Sequence, residues 1–132
     1  MSKKSSFLSL FCCLLLVAGC QNESEDNVII EKPDLEGLWE VNKAFRNNAP
    51  TGTLEGAEFI FTTSLFSSNV PGFIFGENNV GEYRVSSDTI FTGILRPSHF
   101  LVNRFEEDEI TLSAVIQGYN FKFELVRKEK NE

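Results

Sequence analysis

The stretch ITLSAVIQGYNFKFELVRK, residues 110–128, holds two alternating runs on either side of one glycine. Ile110, Leu112, Ala114 and Ile116 share one face of an extended chain, while Thr111, Ser113, Val115 and Gln117 share the other. Tyr119, Phe121, Phe123, Leu125 and Arg127 then line up against Asn120, Lys122, Glu124 and Lys128, with only Val126 out of pattern. Gly118 stands where a tight turn needs positive φ. The period is two, so the stretch predicts an antiparallel hairpin with one dry and one wet face.

Outward from that hairpin, turn residues cut the chain into runs of similar length. The acidic group Glu106-Glu107-Asp108-Glu109 precedes Ile110, His99 to Phe105 leads into it, and Pro97 separates that strand from Thr89 to Ile94. Ser86-Ser87-Asp88 marks a turn after Gly81 to Val85. Val70 to Phe75, Ala57 to Thr62 and Leu38 to Phe45 complete eight predicted strands in residues 37–128. No sustained helical period interrupts them. The expected fold is all-β: an eight-stranded antiparallel up-and-down meander closing into a small barrel or a flattened sandwich.

Three details resemble the lipocalin-like, or calycin, group. Gly37-Leu38-Trp39 is similar to the Gly-X-Trp that opens that family's first strand. Gly81 to Val85 followed by Asp88-Thr89-Ile90 resembles its mid-barrel hairpin, and Phe121 to Arg127 ends on the basic residue of its last strand. The resemblance implies that Trp39 packs near the barrel floor beneath Arg127. Parity agrees, since Arg127 shares the face of Phe121, Phe123 and Leu125; a solvated strand end is the alternative. A guanidinium over the indole would contribute roughly 0.5–2 kcal/mol. The chain lacks the carboxy-terminal helix and disulfide of ligand-carrying lipocalins, which points to the compact lipocalin-like domains of bacterial lipoproteins. An eight-stranded barrel is just wide enough for its own side chains, so a large cavity is not expected unless the strands are long.

The amino terminus has a different character. Lys3 and Lys4 precede the apolar run Phe7 to Ala18, which is shorter than the roughly 20 residues that span a bilayer core. Residues 1–19 therefore form a removable signal peptide. Val17-Ala18-Gly19-Cys20 resembles the bacterial lipobox, and this implies Cys20 as the first mature residue, carrying a diacylglyceryl group and an N-acyl chain such as palmitate. Two or more chains anchor stably where one does not. The alternative is a secreted protein with Cys20 as a free thiol. Gln21 to Asp26 is polar and acidic, so residues 20–36 are expected to be a disordered tether, with 129–132 a polar tail. An outer-membrane address follows, on the periplasmic or the cell-surface face. Gln21, in place of Asp, argues against retention in the inner membrane.

The chain carries 12 Lys plus Arg against 19 Asp plus Glu, for a formal charge of −7, and loss of Lys3 and Lys4 deepens it by two. Such a surface repels nucleic acid and anionic lipid head groups, so neither is expected as a partner. Cys12 and Cys13 leave with the signal, so no intramolecular disulfide can form. His99 is the sole imidazole, beside Ser98. One His cannot assemble a zinc site, adjacency to Ser98 does not make a catalytic triad, and Glu106 to Glu109 lacks the spacing of a calcium loop. The expected protein is a monomer with no enzymatic activity, no metal and no cofactor beyond the lipid on Cys20.

What remains is aromatic content. The candidate ligand-binding residues are Trp39, Tyr83, Phe73, Phe75, Phe121 and Phe123. The Leu65 to Phe75 segment mixes apolar and turn residues, and as a loop it would form a lid or docking patch at a barrel mouth. Two functions stay open: a small apolar ligand held in the barrel, or a solid-cored lipoprotein that docks another envelope protein through Leu65 to Phe75.

Overall fold

The computed structural model describes residues 28–129; Cys20, the signal peptide and most of the tether lie outside the described residues. Nine strands run β1 (Gly37–Arg46), β2 (Ala49–Pro50), β3 (Glu58–Phe61), β4 (Leu65–Ser68), β5 (Gly81–Ser86), β6 (Thr89–Thr92), β7 (His99–Glu106), β8 (Glu109–Ile116) and β9 (Tyr119–Glu129). All neighbours are antiparallel. β2 only prolongs the turn after β1, and pairing of β1 with β9 closes the remaining eight strands into a barrel. Closure leaves no long sheet edge unpaired.

The hairpin of residues 110–128 forms as its alternation dictates. Ile110 pairs with Leu125, Leu112 with Phe123 and Ala114 with Phe121, and these side chains turn to the core. Gln117 (φ 53°) and Gly118 (φ 83°) both adopt the left-handed conformation that a two-residue hairpin turn requires. β1 departs from simple alternation: Trp39, Val41 and Ala44 are buried because the register with β9 shifts between Val41 and Lys43. Asn42 is the extra residue of that bulge, and a second shift between Val102 and Arg104 places Asn103 likewise in β7.

Two boundaries differ from expectation. The strand expected over Val70 to Phe75 lies earlier, at Leu65–Ser68, and residues 69–80 form a loop. Pro71 lacks a donor, and Gly72, Asn78 and Asn79 all have positive φ, which a ladder cannot hold. Ser68, read from sequence as turn-forming, is buried in β4 because its Oγ donates to the Glu58 carbonyl at 2.7 Å. The tether expected over residues 20–36 is packed structure from Val28 onward. Ile30 and Leu35 are buried in the core, and Lys32–Leu35 makes one helical turn, α1, started by Pro33. The final strand also continues to Glu129, one residue beyond the expected domain limit.

Strand directions sort the connections into two ends. The floor carries residues 28–36, the 62–64 turn, the β5–β6 and β7–β8 turns and the end of β9. The mouth carries the β1–β2 and β8–β9 turns and the loops 69–80 and 93–98.

Candidate functional site

The floor is built around Trp39. Its ring is fully buried, and Nε1–H donates to the Leu35 carbonyl at 2.8 Å, which satisfies the only polar atom of the indole. Arg127 is the β9 register partner of Trp39, and its guanidinium carbon lies 4.1 Å from the ring centroid. Nη1 donates to Glu36 O at 2.7 Å, Nη2 to Asp34 O at 2.6 Å and Nε to Glu107 O at 3.2 Å. One side chain therefore ties α1, the start of β1, the β7–β8 turn and β9 together. Burial lowers the Arg127 pKa, and Asp108, Asp34 and Glu107 oppose that shift; the group stays charged.

Tyr83 belongs to the same end. Its hydroxyl donates to Thr62 O at 2.6 Å, its ring packs edge-on against Phe61, and Lys32 Nζ stands 5.1 Å from its centroid. Burial and then the Glu36 charge push the phenol up to about 12.

Above the floor the barrel axis is filled with rings. The Phe59 centroid lies 5.3–5.7 Å from those of Phe66, Phe73, Phe100 and Phe123. Phe73 and Phe75 come from the loop 69–80, not from a strand. Phe73 also approaches Phe100 at 5.7 Å and Phe123 at 6.2 Å, while Phe75 packs on Phe66 at 5.9 Å. The loop is therefore a plug: Phe73 and Phe75 point in and Ile74 between them points out, its backbone bonded to Arg96. Of the apolar residues in the segment expected to form a docking patch, Phe66, Val70, Phe73 and Phe75 are turned into the core, leaving Leu65 and Ile74 exposed.

The structure thus splits the six candidate ligand residues into two groups. Phe73, Phe75, Phe121 and Phe123 meet toward the mouth, with Phe121 stacked on Phe123 at 5.9 Å; Trp39 and Tyr83 sit in the floor. Five hollows of 120–260 Å³ lie on the outer surface, and none of them is lined by Trp39, Phe73, Phe75 or Phe123. Around Phe123 the barrel interior is occupied by the chain's own rings, because the plug adds two to a barrel with room for little else.

Ser98 Oγ and His99 Nδ1 lie 3.1 Å apart on exposed surface, and the His99 ring stands 6.2 Å from Phe91. No ion pair among the described residues involves His99. No group of three or more His, Cys, Asp or Glu among the described residues could hold a metal ion.

The mouth position of the loop was anticipated from sequence, with Pro71-Gly72 as its signal; the inward turn of Phe73 and Phe75 was not.

A closed, eight-stranded up-and-down barrel with a helical turn and a Trp–Arg pair under its floor defines a lipocalin-like fold. The structure is similar to a lipocalin-like protein from Bacteroides uniformis ATCC 8492, with a TM-score of 0.51 and 14% identity over 72% of this chain and 99% of that one. It is also similar to an uncharacterized protein from Bacteroides eggerthii DSM 20697, with a TM-score of 0.50 and 10% identity over 71% of this chain and 99% of that one. No family model matches the sequence, and no curated protein matches it.

Proposed function

We propose that this protein is a lipoprotein of the bacterial outer membrane, anchored through acyl chains on Cys20, whose lipocalin-like barrel is a solid, non-catalytic mount for contacts with another envelope component. The packed interior carries this reading: Phe73 and Phe75 occupy the place a ligand would take. The entry of the chain at the floor, through Val28 and Ile30, supports an arrangement with the mouth free of the anchor. The exposed part of the former docking segment, Ile74 with neighbouring Leu95, would offer contact atoms at that mouth. The lipidated cysteine and the outer-membrane address rest on the signal sequence alone.

Mass analysis of the mature amino terminus from native membranes should find diacylglyceryl and N-acyl groups on Cys20, and Cys20→Ser should release the chain from the membrane. A photo-crosslinker at Ile74 should then capture one stoichiometric envelope protein; consistent absence of any adduct sinks the docking reading. His99→Ala should leave function intact.

A second reading has its own observation. Phe73 and Phe75 are only partly buried and sit on a loop held chiefly by the bonds of Ile74 to Arg96 and Leu95. A small apolar ligand could displace them and use Phe59, Phe66, Phe100 and Phe123 as its walls. Native mass spectrometry of protein purified from its own cells would then detect a bound small molecule, whereas the solid-mount reading expects none.

A further inference from the structure

We infer that the outer wall formed by the mouth-side halves of β7, β8, β9 and β1 is a membrane-facing surface that rests on an anionic lipid bilayer. The inference builds on the lipid-anchor reading, which supplies the proximity.

Strand register assembles the wall. Leu101 of β7 lies opposite Ser113, Ser113 opposite Lys122, and Lys122 opposite Phe45. Val115 lies one pleat nearer the mouth, opposite Asn120. These side chains point outward because Leu112, Ala114 and Ile116 take the inward positions of β8. Outward positions of a one-sided strand are ordinarily polar, yet Val115 is 64% exposed and Leu101 41%.

One cation accompanies these apolar groups: Lys122 Nζ lies 4.4 Å from the Phe45 centroid. The ion pairs of the described residues involve Arg104, Arg127 and Lys128, and not Lys122. Two adjoining hollows on the wall, of 230 and 190 Å³, share Ser113, Asn120 and Phe121, and no Asp or Glu lines either. The nearest carboxylate down the wall, Glu124, stands opposite Lys43. In a chain with 19 Asp and Glu against 12 Lys and Arg, this wall is opposite in sign to the whole.

That combination fits a headgroup boundary. Aliphatic side chains enter it, while the stem of Lys122 reaches along apolar surface to place its charge at a phosphate. Length and charge favour a bilayer over a protein partner. Residues 20–27 span at most about 29 Å when extended, so the floor of an anchored barrel stays within about that distance of the membrane surface. Standing on its floor, the barrel would press the Glu106 to Glu109 turn onto like charge; tipping onto this wall turns those groups away. The net charge of the chain excludes lipid head groups only as an average.

The test uses the full mature chain in two forms. The unlipidated Cys20→Ser chain is mixed with phosphatidylcholine vesicles, with or without phosphatidylglycerol. It should sediment more strongly with the anionic vesicles, by about fivefold per engaged cation, and lose that preference in high salt. Lys122→Glu or Val115→Glu should weaken binding at least about fivefold with unchanged thermal unfolding, whereas Leu65→Glu on the opposite wall should not. In the lipidated chain reconstituted in anionic vesicles, a spin label at Val115→Cys should be shielded from a water-soluble relaxant, and one at Leu65→Cys should stay accessible. Equal binding of the Cys20→Ser chain to both vesicle types, or equal accessibility of the two labels, overturns the inference. Shielding of the Val115→Cys label in native membranes but not in pure lipid would assign the wall to a protein and overturn it as well. A Cys20 found without acyl groups refutes the anchor reading alone, because the unlipidated arm is independent of it.

Discussion

Replacing Phe73 with Ala tests whether the mouth loop is a plug or a lid. A fully buried Phe→Ala change costs about 3–5 kcal/mol. Phe73 is partly buried but meets Phe59 at 5.6 Å, Phe100 at 5.7 Å, Phe123 at 6.2 Å and Phe66 at 6.4 Å, which places the expected loss at about 2 kcal/mol. For a domain near 100 residues this corresponds to a fall in Tm of roughly 8–16 °C. Ile74→Ala, one residue away but 37% exposed and pointing out, should cost under about 1 kcal/mol. Thermal unfolding followed by near-ultraviolet circular dichroism measures both. The vacated space is the size of a phenyl ring and apolar, so benzene or indole should raise the Tm of Phe73→Ala and leave the parent unmoved. A larger loss for Ile74→Ala than for Phe73→Ala would refute the inward plug, and with it the solid barrel.

Arg127→Gln removes the cation over Trp39 and the fork that binds three carbonyls, and urea unfolding should register about 2–4 kcal/mol. Arg127→Lys should recover little of it, since an ammonium cannot reproduce the planar fork. Tyr83 holds its proton more tightly folded, at about 12, than unfolded, at its ordinary 10.0. Between these values the unfolded chain binds fewer protons, so stability is unaffected below pH 10 and declines as pH rises toward 12. Tyr83→Phe should lose about 1 kcal/mol at neutral pH through the bond to Thr62 O and show a shallower alkaline decline, by pH-dependent denaturation. A β-carbon on Gly93 would come within 2.8 Å of the Glu82 carbonyl oxygen, so Gly93→Ala should force β5 and β6 apart at a cost of about 1–3 kcal/mol in urea titrations. Gly52→Ala, with nothing within 4 Å, should be close to neutral.

The β-rhythm was legible because it is local. In β8 and β9, period-two alternation states which residues face the core, whereas the Trp39–Arg127 contact was implied by the lipocalin-like resemblance, and parity left a solvated strand end open. The aromatic candidates were recognisable as a class, but their division into mouth and floor was not, since Trp39 and Phe123 belong to different layers of one barrel. Ser68 shows the limit in a single residue: it reads as turn-forming until Glu58, ten residues away, provides a buried acceptor.

The sequence by itself determined an all-β chain, with seven of its eight expected strands near their observed places, and a surplus of acid. Tertiary structure alone decided that Val28 to Leu35 seals the floor, that Phe73 and Phe75 turn inward, and that Lys122, Leu101 and Val115 meet on one wall. Alternation is a property of neighbours along the chain, which composition and spacing record. The side of the barrel on which a non-alternating loop falls, and the charge of one wall, depend on residues brought together by closure of β1 on β9, so neither is written in any single stretch.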